Sequence, residues 1–137
     1  MSSFKIFDIA GSGMNAQNLR MNVVASNLAN VDAVSSSVEQ TYRARQPVFQ
    51  AVLDQVNTRN PATGVRMAGV VESQAPLVRE YAPQHALADE EGYIYRPNVN
   101  VVEEMANMIS ASRAYQNNVE VVNATRQMLN ATINLGR

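Results

Sequence analysis

Cysteine is absent from all 137 residues, so neither disulfide stapling nor a thiolate metal site is available to the chain. Tryptophan is absent too, and the single lysine, Lys5, stands beside ten scattered arginines. With a net charge of −1 and no basic run, the chain lacks the positive excess that tracks nucleic-acid phosphates, so no nucleic-acid partner is expected. No stretch approaches the ~18–20 apolar residues needed to cross a bilayer, so no direct membrane insertion is expected. Residues Met1 to Gly13 hold one lysine and a short apolar stretch broken by Asp8. That makes a poor Sec signal, and any export is expected to proceed without a cleaved leader. What is present is adequate for folding. At 46% apolar, the sequence lies outside the disordered range and suits one domain, or a small core carrying extended arms.

Three zones follow along the chain. In residues 1–31, Phe7, Ala10, Met14, Gln17, Met21, Val24, Leu28 and Val31 alternate spacings of three and four, and only Gln17 is not apolar. This is one stripe of a helix with a coiled-coil seam. Gly11 and Gly13 each weaken that helix by about 1 kcal/mol relative to alanine, so fraying or bending is expected there. In residues 98–137 the pattern returns at Val101, Met105, Met108, Ser112, Tyr115, Val119, Val122, Arg126, Leu129 and Ile133. Asn98 or Asn100 suits its N-cap, and Glu103 and Glu104 fall in the first turn, where the helix dipole favours acids. Residues 32–97 read as a small antiparallel β module of four or five short strands. The candidate strands are Val48 to Leu53, Val65 to Val71, Leu77 to Tyr81 and Tyr93 to Tyr95. Asn60-Pro61-Ala62-Thr63-Gly64 signals a loop, and Asp89-Glu90-Glu91-Gly92 a turn. The fold class is therefore α+β, two long terminal helices around a β-rich middle.

The terminal helices have very little charge. Between Ile9 and Val31 only Arg20 is charged, and between Met105 and Arg137 only Arg113, Glu120, Arg126 and Arg137. Where a free two-stranded coiled coil carries Glu and Lys beside its seam, this chain carries Asn15, Asn18, Asn22, Asn27 and Asn30, then Asn107, Asn117, Asn118, Asn123, Asn130 and Asn134. Amides and small residues permit close packing on several sides without burying unpaired charge. Two arrangements satisfy this pattern: helices surrounded by neighbours in an assembly, or a two-helix hairpin on the β module with its amides in water.

Nothing in the sequence assembles a catalytic constellation, and no cofactor or metal is implied. His85 is the only histidine and has no nucleophile motif near it, which reads as a surface loop. Asp89-Glu90-Glu91 lacks calcium-loop spacing, and Gly11-Ser12-Gly13 lacks the further glycine and lysine of a phosphate loop. The methionines Met14, Met21, Met105, Met108 and Met128 lie at or near seam positions, as adaptable packing does.

At these same residues the chain resembles the flagellar rod and hook axial protein family. Met14 to Asn30 is similar to that family's N-terminal signature, whose hallmark Ala-x-Asn-Leu-Ala-Asn is here Ala25-Ser26-Asn27-Leu28-Ala29-Asn30. Tyr42-Arg43-Ala44 with Val48-Phe49-Gln50, Val70-Val71-Glu72-Ser73, Leu87-Ala88-Asp89 with Gly92-Tyr93, and Pro97-Asn98-Val99 resemble the shorter, proximal-rod member. Met105 to Arg137 is similar to its closing helix. The resemblance is collinear over nearly the whole chain. It departs after Asn30, where Val31-Asp32-Ala33-Val34 and three serines replace a Thr followed by a Gly-aromatic pair.

The resemblance implies a structural subunit, not an enzyme, exported through the flagellar type III apparatus and built into the rod that crosses the periplasm. Implied partners are other proximal and distal rod proteins, the rod–membrane ring junction protein and copies of itself. The terminal helices would line an inner tube in a coiled-coil-like pairing, with the β module outside it. The helix-packing residues expected for this are Met14, Gln17, Leu19, Met21, Val24, Asn27, Leu28 and Asn30, then Met105, Met108, Ser112, Tyr115, Val119, Val122, Leu129 and Ile133. Both termini are expected to be largely disordered before assembly. The alternatives are another axial or junction subunit, and a soluble hydrolase or binding module.

Overall fold

The computed structural model describes residues 3–53 and 62–136. Asn60, Pro61 and Arg137 lie outside the described residues. Among the described residues six elements follow one another: α1 (Ser3–Ala29), β1 (Arg45–Leu53), β2 (Ala62–Glu72), β3 (Val78–Tyr81), β4 (Tyr93–Arg96) and α2 (Val101–Leu135). This is the α+β arrangement of two terminal helices around antiparallel strands.

α1 runs unbroken through Gly11 and Gly13 for 27 residues, about 40 Å. α2 has 35 residues, about 52 Å. Asn100 caps it, accepting the backbone N–H of Val102 at 3.0 Å and of Glu103 at 3.3 Å. The two helices pack antiparallel, since Asn27 meets Glu104 at one end and Gly13 meets Asn118 farther along. Beyond the start of α1, about seven residues of α2 continue without it, an overhang of roughly 10 Å.

Among the described residues, the middle of the chain forms two separate ribbons, not one sheet. β1 and β2 form a long antiparallel hairpin with irregularities at Val48/Phe49 and Val52/Leu53, and it packs on α1. β3 and β4 form a four-residue ladder from Val78↔Arg96 to Tyr81↔Tyr93. On the other side of β4, the linker after α1 adds a bridge, with Ser35 and Tyr95 exchanging two backbone bonds of 3.0 Å.

The turn before β4 is held by Asp89. Its Oδ1 accepts the N–H groups of Glu91 at 3.0 Å and Tyr93 at 2.8 Å, and Gly92 supplies the positive φ of 84°. On the same ribbon Tyr81 meets Tyr93 edge-on at 5.1 Å, and the Arg79 guanidinium lies 3.7 Å from the centre of the Tyr93 ring.

The apolar core is small. Among the described residues its buried members are Ala10, Ala16, Val24, Ala44, Ile94 and Ala111, four of them alanines. The accessible surface is 9520 Å², whereas a compact monomer of 15.0 kDa exposes about 7,000 Å². Much apolar side-chain surface therefore stays in water in the single chain.

The Asp89 carboxyl is held below the ordinary carboxylate range, first by the N–H of Tyr93, then by that of Glu91, the Tyr95 hydroxyl and the charge of Arg79, against a desolvation effect. A depressed native value means stability present above the unfolded value of about 3.9 and lost as pH falls through the native one. The Tyr93 amide should keep its native NMR shift down to that pH and lose it below. Asp89→Asn, which keeps one acceptor oxygen, should abolish this acid transition.

Candidate assembly site

The elements of the fold meet at a polar side chain. Asn27, 1% exposed, is the largest fully buried side chain among the described residues. Its Nδ2 donates to the carbonyl of Arg45 at 2.8 Å and to Glu104 Oε2 at 3.1 Å. Its Oδ1 accepts from the Tyr42 hydroxyl at 2.8 Å and from the N–H of Arg45 at 2.9 Å. An amide offers two donors and two acceptor sites, and all four are used. One side chain thus joins the end of α1, the linker, the first residue of β1 and the first turn of α2. No hydrocarbon of that size serves, because the backbone of Arg45 would be left unpaired.

Neighbouring side chains support the junction. Ser26 Oγ lies 3.2 Å from the Tyr42 hydroxyl, and Asn30 Nδ2 donates to the Ser26 carbonyl at 2.8 Å as α1 ends. Asn98 Oδ1 accepts the N–H of Ala44 at 2.8 Å, while its Nδ2 donates to the carbonyl of Ala75 at 2.9 Å. Arg45 stacks over Tyr42 at 5.2 Å. The hallmark run from Ala25 to Asn30 therefore has a local physical meaning: Asn27 closes the junction and Asn30 caps the helix end.

The seam between the helices is also polar and small. Glu104, Ala111 and Thr125 are buried, and with Asn118 they recur every seven residues along α2. Gly13, Arg20 and Asn27 recur at the same interval along α1. Asn118 packs where a Gly13 Cβ would come within 3.0 Å, and Arg20 Nη2 donates to Asn107 Oδ1 at 3.1 Å. On α2 the seam lies one residue before Met105, Ser112, Val119 and Arg126, so the apolar heptad runs beside the intrachain contact.

The expected packing residues separate accordingly. Val24 and Asn27 are buried inside the chain, and Met14, Gln17, Leu19, Met21, Leu28 and Asn30 are half-buried along α1. Gln17 keeps a buried side-chain oxygen without a hydrogen-bond partner. On α2, Met108, Ser112, Tyr115, Val119, Val122 and Leu129 are half-buried, whereas Met105 and Ile133 are exposed. Val102 (77% exposed) and Ile109 (56%) extend the exposed apolar surface near the start of α2, and Met128 and Leu135 (88%) extend it at the overhang. Sequence periodicity did not reveal Tyr42, Arg45 and Glu104 as partners of Asn27. The seven-residue recurrence of Glu104, Ala111, Asn118 and Thr125 was a signal available for the seam.

The residues considered for chemistry fall elsewhere. His85 is exposed and accepts the N–H of Leu87 through Nδ1 at 3.1 Å. Gly11-Ser12-Gly13 is a stretch of helix. Among the described residues, no group of three or more His, Asp or Glu side chains is placed to hold a metal, and no helix is long and apolar enough to cross a membrane.

Family models match both ends of the chain. Residues 7–35 fit the one described as Flagella basal body rod protein, and residues 90–135 fit Flagellar basal body rod FlgEFG protein C-terminal. The chain is 51% identical over 139 residues to the flagellar basal-body rod protein FlgC of Escherichia coli O6:H1, with all of both chains covered. It is 49% identical over 137 residues to that of Salmonella typhimurium, again with full coverage. The protein of the same name from Borreliella burgdorferi is 33% identical over 147 residues, covering 97% of each chain. Helix pair, hallmark junction and matches together define a class: structural rod proteins of the flagellar basal body, which associate with other rod components and are not enzymes. Within that class, the chain belongs to the FlgC family.

Removing the Asn27 amide strands the backbone of Arg45 and the Glu104 carboxylate. At about 1–3 kcal/mol for each buried group left unpaired, Asn27→Ala should cost about 3 kcal/mol. Immunoblots of purified basal bodies should show incorporation reduced by roughly two orders of magnitude. Asn27→Asp, which sets a second carboxylate against Glu104, should be no better.

Proposed function

We propose that this chain is a proximal-rod subunit that polymerises helically through its terminal helices. It forms part of the drive shaft and export channel that cross the periplasm between motor ring and hook. The observation that carries this reading is the exposed apolar surface of α2, from Val102, Met105 and Ile109 to Met128, Ile133 and Leu135, on a chain whose own core is mostly alanine. Large apolar side chains clustered in water near both ends of a helix call for partners. The scarcity of charge around it suits burial on several sides.

In this reading residues 1–31 and 98–137 form the inner-tube portion and residues 32–97 the outer, individual portion. The contact between copies is heterologous and does not close, which generates a filament and not a ring. Met14, Gln17, Met21, Leu28 and Asn30, with Met105, Met108, Ser112, Tyr115, Val119, Val122, Leu129 and Ile133, meet neighbouring subunits, while Leu19, Val24 and Asn27 pack within the subunit. Those neighbours are copies of the chain, the other proximal and distal rod proteins and the rod–membrane ring junction protein. Export runs through the flagellar type III apparatus without signal cleavage.

So small a core supports little stability in isolation. The termini of the dilute chain are then largely disordered, which suits passage through a narrow channel, and they fold on incorporation. Circular dichroism of dilute chain should show little cooperative helix melting; a fully helical, sharply melting monomer contradicts this. Leu28→Asp places a charge in a packed helix face at a cost of several kcal/mol. Swimming in soft agar should be lost while secretion of the variant continues, and preserved motility would remove Leu28 from the assembly surface.

A further inference from the structure

The Gly11-Ser12-Gly13 run, which fits no phosphate loop, lies where three elements meet. Gly13 faces α2, where an added Cβ would come 3.0 Å from the Asn118 amide. Ser12 faces β2: its hydroxyl donates to the carbonyl of Ile9 at 2.8 Å and accepts the N–H of Val65 at 3.1 Å. Gly64 makes that approach possible. A Cβ there would lie 2.5 Å from Ser12 Oγ, and the backbone has a φ of +155°.

A second attachment lies at the other end of the hairpin, where Asn27 holds both backbone groups of Arg45, and Arg45 pairs with Glu72 of β2. From Ser12 to Asn27 the helix rises about 22 Å. From Val65 to Glu72 the strand advances about 23 Å. The two attachments are thus commensurate, and the hairpin lies along α1 like a strap fastened at both ends. Between them Leu19 and Val23 of α1 face Met67 and Val70 of β2 across a slot of about 440 Å³. A slip of one residue in β2 would turn its side chains over and break the Ser12 contact.

We infer that Ser12 and Gly64 are positioning residues that keep the β1–β2 strap clasped to its own α1 inside the assembled rod. The Leu19 and Val23 face of α1 then lies beneath the subunit's own strap, and neighbours engage the remaining faces of the helix pair. This inference rests on the rod-subunit reading above and goes further by assigning which helix face is closed to neighbours.

The absence of cysteine makes the test direct. In a Ser12→Cys/Gly64→Cys chain the two Cβ atoms begin about 3.1 Å apart, within a few tenths of an ångström of disulfide geometry. The pair stays reduced in the cytoplasm and oxidises only after export. Basal bodies purified from motile cells should yield this chain on non-reducing gels as an internally cross-linked monomer, its thiols unreactive to maleimide. Free, reactive thiols in the assembled rod, or cross-linked dimers, would overturn the clasp. If the double variant is not incorporated, Gly64→Ala decides. The clash with Ser12 should lower incorporation about tenfold. Undiminished incorporation of Gly64→Ala overturns the inference. Failure of the unsubstituted chain to appear in basal bodies would instead refute the rod reading.

Discussion

A buried amide with every hydrogen-bonding position filled is the constraint on which this fold turns. Asn27 ties the end of α1 to Tyr42, Arg45 and Glu104, which belong to the linker, the hairpin and the second helix. Apolar burial alone would not specify such a junction, because alanines slide past one another at little cost. A polar group that must meet four partners has one acceptable position. The register of the helix pair and the origin of the hairpin both follow from it.

The rest of the chain has a consistent economy. Small and polar residues line the intrachain seam, while Val102, Met105, Ile109, Met128, Ile133 and Leu135 of α2 remain in water. A protein stabilised chiefly by its own core would place them the other way round. Here the junction specifies the arrangement, and in the proposed rod the greater part of the burial is left for neighbouring subunits to supply. Such a division suits the proposed route, in which the subunit travels as an extended chain and becomes rigid only where it is incorporated.

The helices and their approximate ends were legible because a spacing of three and four persists over long stretches, and Asn100 and Glu103–Glu104 mark a helix start. The four strands and the Asp89–Gly92 turn were legible from β-branched and aromatic runs between breakers. Which face of α2 meets α1 was not. Glu104, Asn118 and Thr125 are polar, so a search for apolar periodicity settles one residue away, on Met105, Val119 and Arg126. The separation of the strands into two ribbons was equally hidden, since pairing depends on the Ser35–Tyr95 bridge and on the hairpin's hold on α1. The function of the Ala-x-Asn-Leu-Ala-Asn run became physical only when the partners of Asn27 came together from Tyr42 to Glu104.

The central claim is that the exposed apolar face of α2 is covered by neighbouring subunits. Single cysteines at Met105, Ile109 and Ile133, with His85→Cys on the outer ribbon as a reference, test it by maleimide labelling of the free chain and of purified basal bodies. The account predicts that all four label in the free chain and that only the position 85 thiol labels in the rod. Equal labelling of the α2 positions in both states would contradict it.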